Sequence, residues 1–239
     1  MKILVTGGAS GLGKAIVEKL AGRETNLVYF TYNSSKESAM ALEGQYPNTR
    51  SIRLDFRLEE SINAFLLQLT ELEPDALVNN ALNGFTQIHF HKFDSAVFES
   101  SFKVNVSPVL KIAQKFIEIS RKRKGGRIIT ILTSAIINRP PIGFSEYIAN
   151  KAYLHSMTKS WAVENAAFGI TSNCISPSLM LTPLMSDMDK RVIENMTRET
   201  GGKTLLNETE VAAAVEFLLE ATTHINGNNL IINDAKDII

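Results

Sequence analysis

Cysteine is almost missing from this chain. Cys174 is the single one among 239 residues, so no internal disulfide framework can hold the fold. It lies in an apolar run, where a small buried thiol is expected, and a reducing cytosol suits it. A surplus of either charge is missing too. Lys and Arg together number 25, as do Asp and Glu, so the net charge gives no reason to expect a nucleic-acid partner. The run Arg121-Lys122-Arg123-Lys124 is read as the solvated end of a helix. No uncharged apolar stretch reaches membrane-spanning length, and Met1 runs straight into a strand without a charged-then-apolar leader. The protein is therefore expected to be soluble and cytoplasmic, with no membrane partner, and the sequons at Asn105 and Asn195 are coincidences. His89 and His91 flank Phe90, but no third ligand is within sequence reach, so no metal is expected.

The residues present alternate short apolar runs with helical patterns. With 44% hydrophobic and 21% charged residues, the chain suits one domain, 1–239, with a sizeable core. Lys2 to Val5, Asn26 to Thr31, Arg50 to Leu54, Asp75 to Val78 and Arg127 to Leu132 read as strands. A helix with Ile16, Val17 and Leu20 follows the first, and one with Ile62, Phe65, Leu66 and Leu69 the third. From Asp94 to Lys122 one long amphipathic pattern places Phe98, Phe102, Val109, Ile112, Phe116 and Ile119 on an apolar face, interrupted by Asn105. Such alternation predicts an α/β fold.

Chemistry enters at the strand ends. Thr6-Gly7-Gly8-Ala9-Ser10-Gly11-Leu12-Gly13 follows the first strand and opens a helix. Glycines allow a tight turn and close approach to a pyrophosphate, whose charge the helix amino terminus receives. The second strand ends in Tyr32-Asn33-Ser34-Ser35-Lys36, with no acidic residue to accept from ribose hydroxyls and repel a 2′-phosphate. That absence favours NADP over NAD, although Ser34 or Ser35 also suits a helix cap. Asp55 either accepts from an adenine amino group or caps the next helix, and Asn79-Asn80-Ala81-Leu82 offers amides for the wall of a cleft.

Thr133 to Lys151 carries the rest. Ser134 sits at a strand's carboxyl end; Pro140, Pro141 and Gly143 break the chain; a helical pattern then runs from Glu146 through Phe168. Tyr147 and Lys151, four apart, share one helical face. A free phenol titrates near ~10, and a nearby ammonium is expected to lower that value and make Tyr147 a usable acid/base, with the Ser134 hydroxyl donating to a substrate oxygen.

These pieces, in this order, resemble the short-chain dehydrogenase/reductase family in its single-domain form: the glycine turn, Asp55, Asn79-Asn80-Ala81, Asn105, Ser134, Tyr147 with Lys151, then Asn173-Cys174-Ile175-Ser176-Pro177, Thr182 and Ile225-Asn226-Gly227. The resemblance implies a doubly wound, mostly parallel Rossmann-type sheet with helices on both faces. It implies that Tyr147 is the general acid/base, that Lys151 lowers its pKa and bonds the nicotinamide ribose, that Ser134 orients the substrate oxygen, and that Asn105 holds a water in a proton relay. Cofactor contacts are then expected from Gly7, Ser10, Gly11, Leu12, Gly13, Asn33, Ser34, Ser35, Asp55, Asn79, Ala81, Tyr147, Lys151, Pro177 and Thr182. A substrate lid is expected over about 180–203, where Leu184, Met185, Met188, Val192, Ile193 and Met196 either meet an apolar ligand or form one buried helix face. The implied function is hydride transfer between NADP, or NAD, and a small-molecule carbonyl or secondary alcohol, in a homo-oligomer (dimer or tetramer). Reduction of a 3-oxoacyl thioester is one option within it, although Phe168 replaces a basic residue common in carrier-linked reductases, and only Arg127 keeps a docking charge. The other class of function is a dinucleotide-binding sensor or scaffold, which has no chemical reason to keep Ser134, Tyr147 and Lys151. Three departures stand out: Leu82 and Ser178 replace family glycines, and Asn233-Asp234-Ala235 replaces Asp-Gly-Gly.

Overall fold

β1, Lys2–Val5, is buried from its second residue onward and is an interior strand of the sheet. The computed structural model describes residues 1–137, 139–180 and 205–235. Along the chain follow α1 (Gly11–Ala21), β2 (Leu27–Tyr32), α2 (Lys36–Gln45), β3 (Thr49–Arg53), α3 (Glu59–Leu72) and β4 (Ala76–Asn79). Then come α4 (Ser95–Asn105), α5 (Ser107–Arg123), β5 (Gly126–Ile131), α6 (Ser145–Asn165), β6 (Ile170–Pro177), α7 (Glu208–Glu220) and β7 (Asn229–Ile232). Among the described residues the strands form one sheet in the order β3-β2-β1-β4-β5-β6-β7, with every neighbouring pair parallel. Strand order reverses between β1 and β4, and a crevice opens at their carboxyl ends, where open α/β sheets bind ligands.

A parallel sheet must be covered on both faces. On one face Ile16, Val17 and Leu20 of α1 pack with Val211, Val215, Leu218 and Leu219 of α7. Polar contacts reinforce that pair: Lys19 Nζ lies 3.0 Å from Glu216 and Arg23 Nε 2.8 Å from it, and Arg23 also reaches Glu220. On the other face Ile62, Phe65 and Leu69 of α3 meet Val109, Ile112 and Phe116 of α5 and Leu154 and Trp161 of α6.

The pattern expected as one helix over 94–122 is two. Val106 stays in the right-handed region but with φ widened to −114° at ψ −54°, and Pro108 follows in the first turn of α5 without an N–H to continue the earlier ladder. Asn105, 5% exposed, is left at the last position of α4. Phe98 lies outside the break's buried face, 38% exposed.

The basic run ending α5 is exposed, as expected of a solvated helix end, and its two arginines also bond to neighbouring elements. Arg121 Nε donates to Asn165 Oδ1 at 2.7 Å, with its guanidinium 4.4 Å from the Phe168 ring centre. Arg123 donates to the carbonyls of Glu73 and Pro74 at 2.6 and 2.7 Å. The run fastens α5 to its neighbours.

Candidate active site

The glycine turn joins β1 to α1 through two left-handed glycines, Gly7 at φ +67° and Gly11 at +48°. Gly7 N donates to Thr31 Oγ1 at 3.0 Å and Gly8 N to Thr31 O at 2.8 Å, which moors the turn to β2. A Cβ on Gly7 would stand 2.9 Å from Ala81 Cα, and one on Gly13 would stand 2.0 Å from Gly7 O. Glycine is required at both places. Ser10 precedes α1 without its side chain capping the helix, and the first-turn amides of Gly11, Leu12 and Gly13 have no partner inside the helix. The donor set matches a pyrophosphate.

The turn forms one end of a cleft of about 510 Å³. Its wall includes the predicted Gly7, Ser10, Gly11, Leu12, Gly13, Asn33, Ser34, Ser35, Ala81, Tyr147, Lys151 and Pro177, together with Thr31, Leu132, Thr133, Phe144 and Met180. The residues fit an extended dinucleotide: anion-binding amides at one end, polar side chains without a carboxylate at the tip of β2, and a phenol and an ammonium at the far end.

Two predicted contacts sit elsewhere. Asp55 is 6% exposed and faces Arg57, not the cleft, whose wall there is Leu54 and Phe56. Its carboxylate accepts from Arg57 Nε at 2.9 Å, Nη2 at 2.6 Å and the Arg57 amide at 3.0 Å, and the Arg57 hydrogen bond holds it below the usual carboxylate range. Nor does it cap α3, whose flanking residue is Leu58. The Asn33 amide, turned with nitrogen toward Asp55 and oxygen toward Arg57, completes the clamp at 3.3 Å to each. Asn79 is buried below the cleft and donates to Thr130 Oγ1 at 3.5 Å. The amide that fastens the glycine turn belongs to Asn80, donating to Thr6 O and Gly7 O at 3.0 and 3.1 Å. Thr182, and the expected lid apart from residue 180, lie outside the described residues.

Pro140, Pro141 and the left-handed Gly143 at φ +85° turn the chain into α6. Tyr147 and Lys151 lie one turn apart on it. Lys151 Nζ donates to Ile131 O at 2.7 Å and lies 5.9 Å from the Tyr147 ring centre. The ammonium thus sits over the ring, with its bond directed at the β5 carbonyl. Burial pushes the phenol up to about 12, opposed by the Thr133 hydroxyl. Burial also lowers Lys151 to about 8. In the free protein, loss of hydration outweighs the expected lowering of the Tyr147 pKa by its neighbour. The hydroxyl acting on Tyr147 is that of Thr133. Ser134, 8% exposed, begins a one-turn helix behind the cleft wall.

Lys151 leaves a signature in stability. Its pKa is lower folded than unfolded, so between about pH 8 and the ordinary lysine value the unfolded chain holds more protons, and folding is favoured progressively as pH rises. Below that window the buried charge opposes folding. Lys151→Met should therefore be more stable relative to the unaltered protein at pH 7 than at pH 10, which paired denaturant titrations would show; a pH-independent difference would contradict the burial of this charge.

Asn105 Oδ1 accepts from the Asn83 amide at 2.7 Å, while its nitrogen donates to Gly84 O and Ser101 Oγ, both at 3.2 Å. It is committed to shaping the loop after β4. In that loop Gly84, at φ +79°, takes the left-handed turn, so Leu82 needs no glycine-like backbone. Neither does Ser178, whose amide donates to Ile232 O at 2.8 Å. The third departure is strained: Asp234 and Ala235 are left-handed at φ 54° and 59°.

Reasoning from sequence missed Thr133, Arg57 and an aromatic group at the substrate end, while the amide it expected to hold loops together at this strand end is that of Asn80. Phe85 lies 4.9 Å from both the Phe144 and Tyr147 ring centres. Its signal was an aromatic residue in a polar loop. Among the described residues no cluster of three or more His, Cys, Asp or Glu could hold a metal, and no helix is long and apolar enough to cross a membrane. Cys174 is buried, its thiol pushed up to about 12 by burial.

The family model described as short chain dehydrogenase matches residues 1–192. An acetoacetyl-CoA reductase of Synechocystis is 30% identical over 98% of this chain and 95% of its own. The 3-oxoacyl-acyl-carrier-protein reductase of Escherichia coli is 29% identical over 96% and 94%. A solved dehydrogenase/reductase of Sinorhizobium meliloti superposes with a TM-score of 0.87 at 26% identity, over 99% of this chain and 95% of that one.

Proposed function

From the premise that the chain belongs to the short-chain dehydrogenase family, we propose that it is an NADPH-dependent reductase of 3-oxoacyl thioesters, with Tyr147 as the proton donor. That it is an NAD(P)-dependent oxidoreductase acting on a carbonyl or alcohol follows from its family and relatives. The observation that carries the finer reading is the single cleft running from the glycine turn to Tyr147 and Lys151.

When bound, the reduced nicotinamide supplies the hydride. Tyr147 supplies the proton: its phenol, protonated at neutral pH and moved further from ionisation by burial, donates to the carbonyl oxygen as the alcohol forms. The Lys151 ammonium, over the ring, stabilises the phenolate left behind. Asn105 shapes the loop that walls the cleft. Ser34, Ser35 and Arg57 surround the tip of β2 without a free carboxylate, since Asp55 is taken up by Arg57; this supports NADP. The names of the relatives support a thioester, as does a substrate end of Leu82, Phe85, Pro141, Phe144 and Leu179, which suits a short apolar acyl group. Phe98 on α4 and Tyr153 on α6 are apolar and exposed, which supports a homo-oligomer.

The test is NADPH and NADH oxidation with acetoacetyl-CoA, free ketones, aldehydes and quinones. Acetoacetyl-CoA should be the best substrate, and NADPH should exceed NADH in kcat/KM by about tenfold or more, the worth of one charge-assisted hydrogen bond. A free ketone as the better substrate would refute the thioester reading, and equal use of both cofactors would refute the NADP reading. Tight dinucleotide binding with no turnover would favour a sensor.

A further inference from the structure

α6 carries a second pair at the Tyr147 and Lys151 spacing, one residue earlier: Glu146 and Asn150. An offset of one residue turns a helical side chain by about 100°, so this pair faces α4 while the first faces the cleft. Both are buried, Glu146 at 2% exposure and Asn150 at 4%. Asn150 Nδ2 donates to Glu146 Oε1 at 3.1 Å and to Ser101 Oγ at 2.9 Å. Ser101 also accepts from Asn105, which holds Asn83 and Gly84. A continuous chain of side chains thus runs from the helix bearing the proton donor to the loop walling the substrate end.

The far end of that chain is unbalanced. Glu146 Oε2 and Asn150 Oδ1 are both buried with no hydrogen-bond partner, and Glu146 has no ion pair among the described residues. Two orphaned acceptors on one bonded pair of side chains are costly, and a proton on Glu146 turns one of them into a donor. Burial raises the Glu146 pKa, against a pull from the Thr86 amide and the opposing influence of a helix amino terminus on a carboxylate.

We propose that Glu146 is a positioning residue held as the neutral acid, which through Asn150, Ser101 and Asn105 locks the loop over 82–85 against the face of α6 that presents Tyr147 and Lys151. The inference rests on the reading of Tyr147 as proton donor. It acts on geometry, keeping Leu82, Phe85 and Tyr147 in one arrangement.

Its test combines kinetics with a spectrum. Glu146→Ala should lower kcat by about 10- to 100-fold with dinucleotide affinity unchanged, and E146Q, which keeps the shape and a donor, should retain most of kcat. Ser101→Ala should reproduce the alanine defect, and the double variant E146A/S101A should be no worse than either single change. If Glu146→Ala does not fold, Ser101→Ala interrupts the same chain at its middle. The infrared spectrum at neutral pH should show the carbonyl stretch of a protonated carboxylic acid, missing from the E146Q spectrum. An E146Q variant as impaired as E146A, unchanged kcat on breaking the chain, additive losses, or no acid band would each overturn the proposal. If no carbonyl substrate is turned over, the functional reading fails while the infrared result still decides the state of Glu146.

Discussion

Tyr147→Phe should lower kcat by about 10²- to 10⁴-fold, the usual contribution of a positioned acid, with dinucleotide affinity little changed. The substitution removes one oxygen and keeps the ring, so the contacts with Phe85 and Phe144, at 4.9 and 6.4 Å between centres, survive and the fold is not disturbed. No other group takes over well. Thr133 and Ser134 are far weaker acids, and Lys151 Nζ is bonded to Ile131 O. Stopped-flow oxidation of the reduced cofactor would measure the loss, and nicotinamide fluorescence the binding. Turnover kept within tenfold would remove Tyr147 from the chemistry.

The second large effect is structural. Gly13→Ala should destabilise the protein by about 1–3 kcal/mol or more, the range for overpacking, and abolish dinucleotide binding. Its Cβ would lie 2.0 Å from Gly7 O and 2.6 Å from Asn80 Nδ2. The first is backbone, so relief requires the turn to open. Opening it breaks the Asn80 bonds to Thr6 and Gly7 and displaces the amides that fit a pyrophosphate. Gly44→Ala is the control: it lies in α2, and its Cβ would meet nothing within 4 Å, so it should leave binding intact and stabilise by about 0.4–1 kcal/mol. Thermal melts, at roughly 2–4 °C per kcal/mol for a chain of this size, and a binding titration separate the two. Full binding by the Gly13 variant would contradict the geometry of the turn.

What could be read beforehand was whatever a period or a glycine encodes. β1 ends where its apolar run ends, and the parallel order follows from alternating elements. Adjacent residues of one kind were harder. Asn79 and Asn80 differ only in which side of the strand end they face, and a one-residue change of direction puts one amide under the sheet and the other on the glycine turn. Thr133 and Ser134 pose the same difficulty. The break at Val106 was hidden because the apolar pattern continues across it, while Pro108 supplied the missed signal. Glu146 and Asn150 read as ordinary polar helix residues, since nothing local reveals that α4 covers them. The strain at Asp234 and Ala235 was not foreseen: the replacement of two glycines was visible in the sequence, but not that the backbone there stays left-handed.

The pairing of α1 with α7 also governs how the chain acquires its shape. The helix that opens the cofactor turn, at Gly11–Ala21, buries its apolar face against residues Glu208–Glu220, almost 200 positions later in a 239-residue chain. On a ribosome α1 therefore emerges with Ile16, Val17 and Leu20 uncovered, and the cofactor end cannot be finished until α7 has been made. Contacts of such sequence separation slow folding and lengthen exposure to aggregation. Truncation before α7 strips the nucleotide helix of its cover, although every residue of the glycine turn remains.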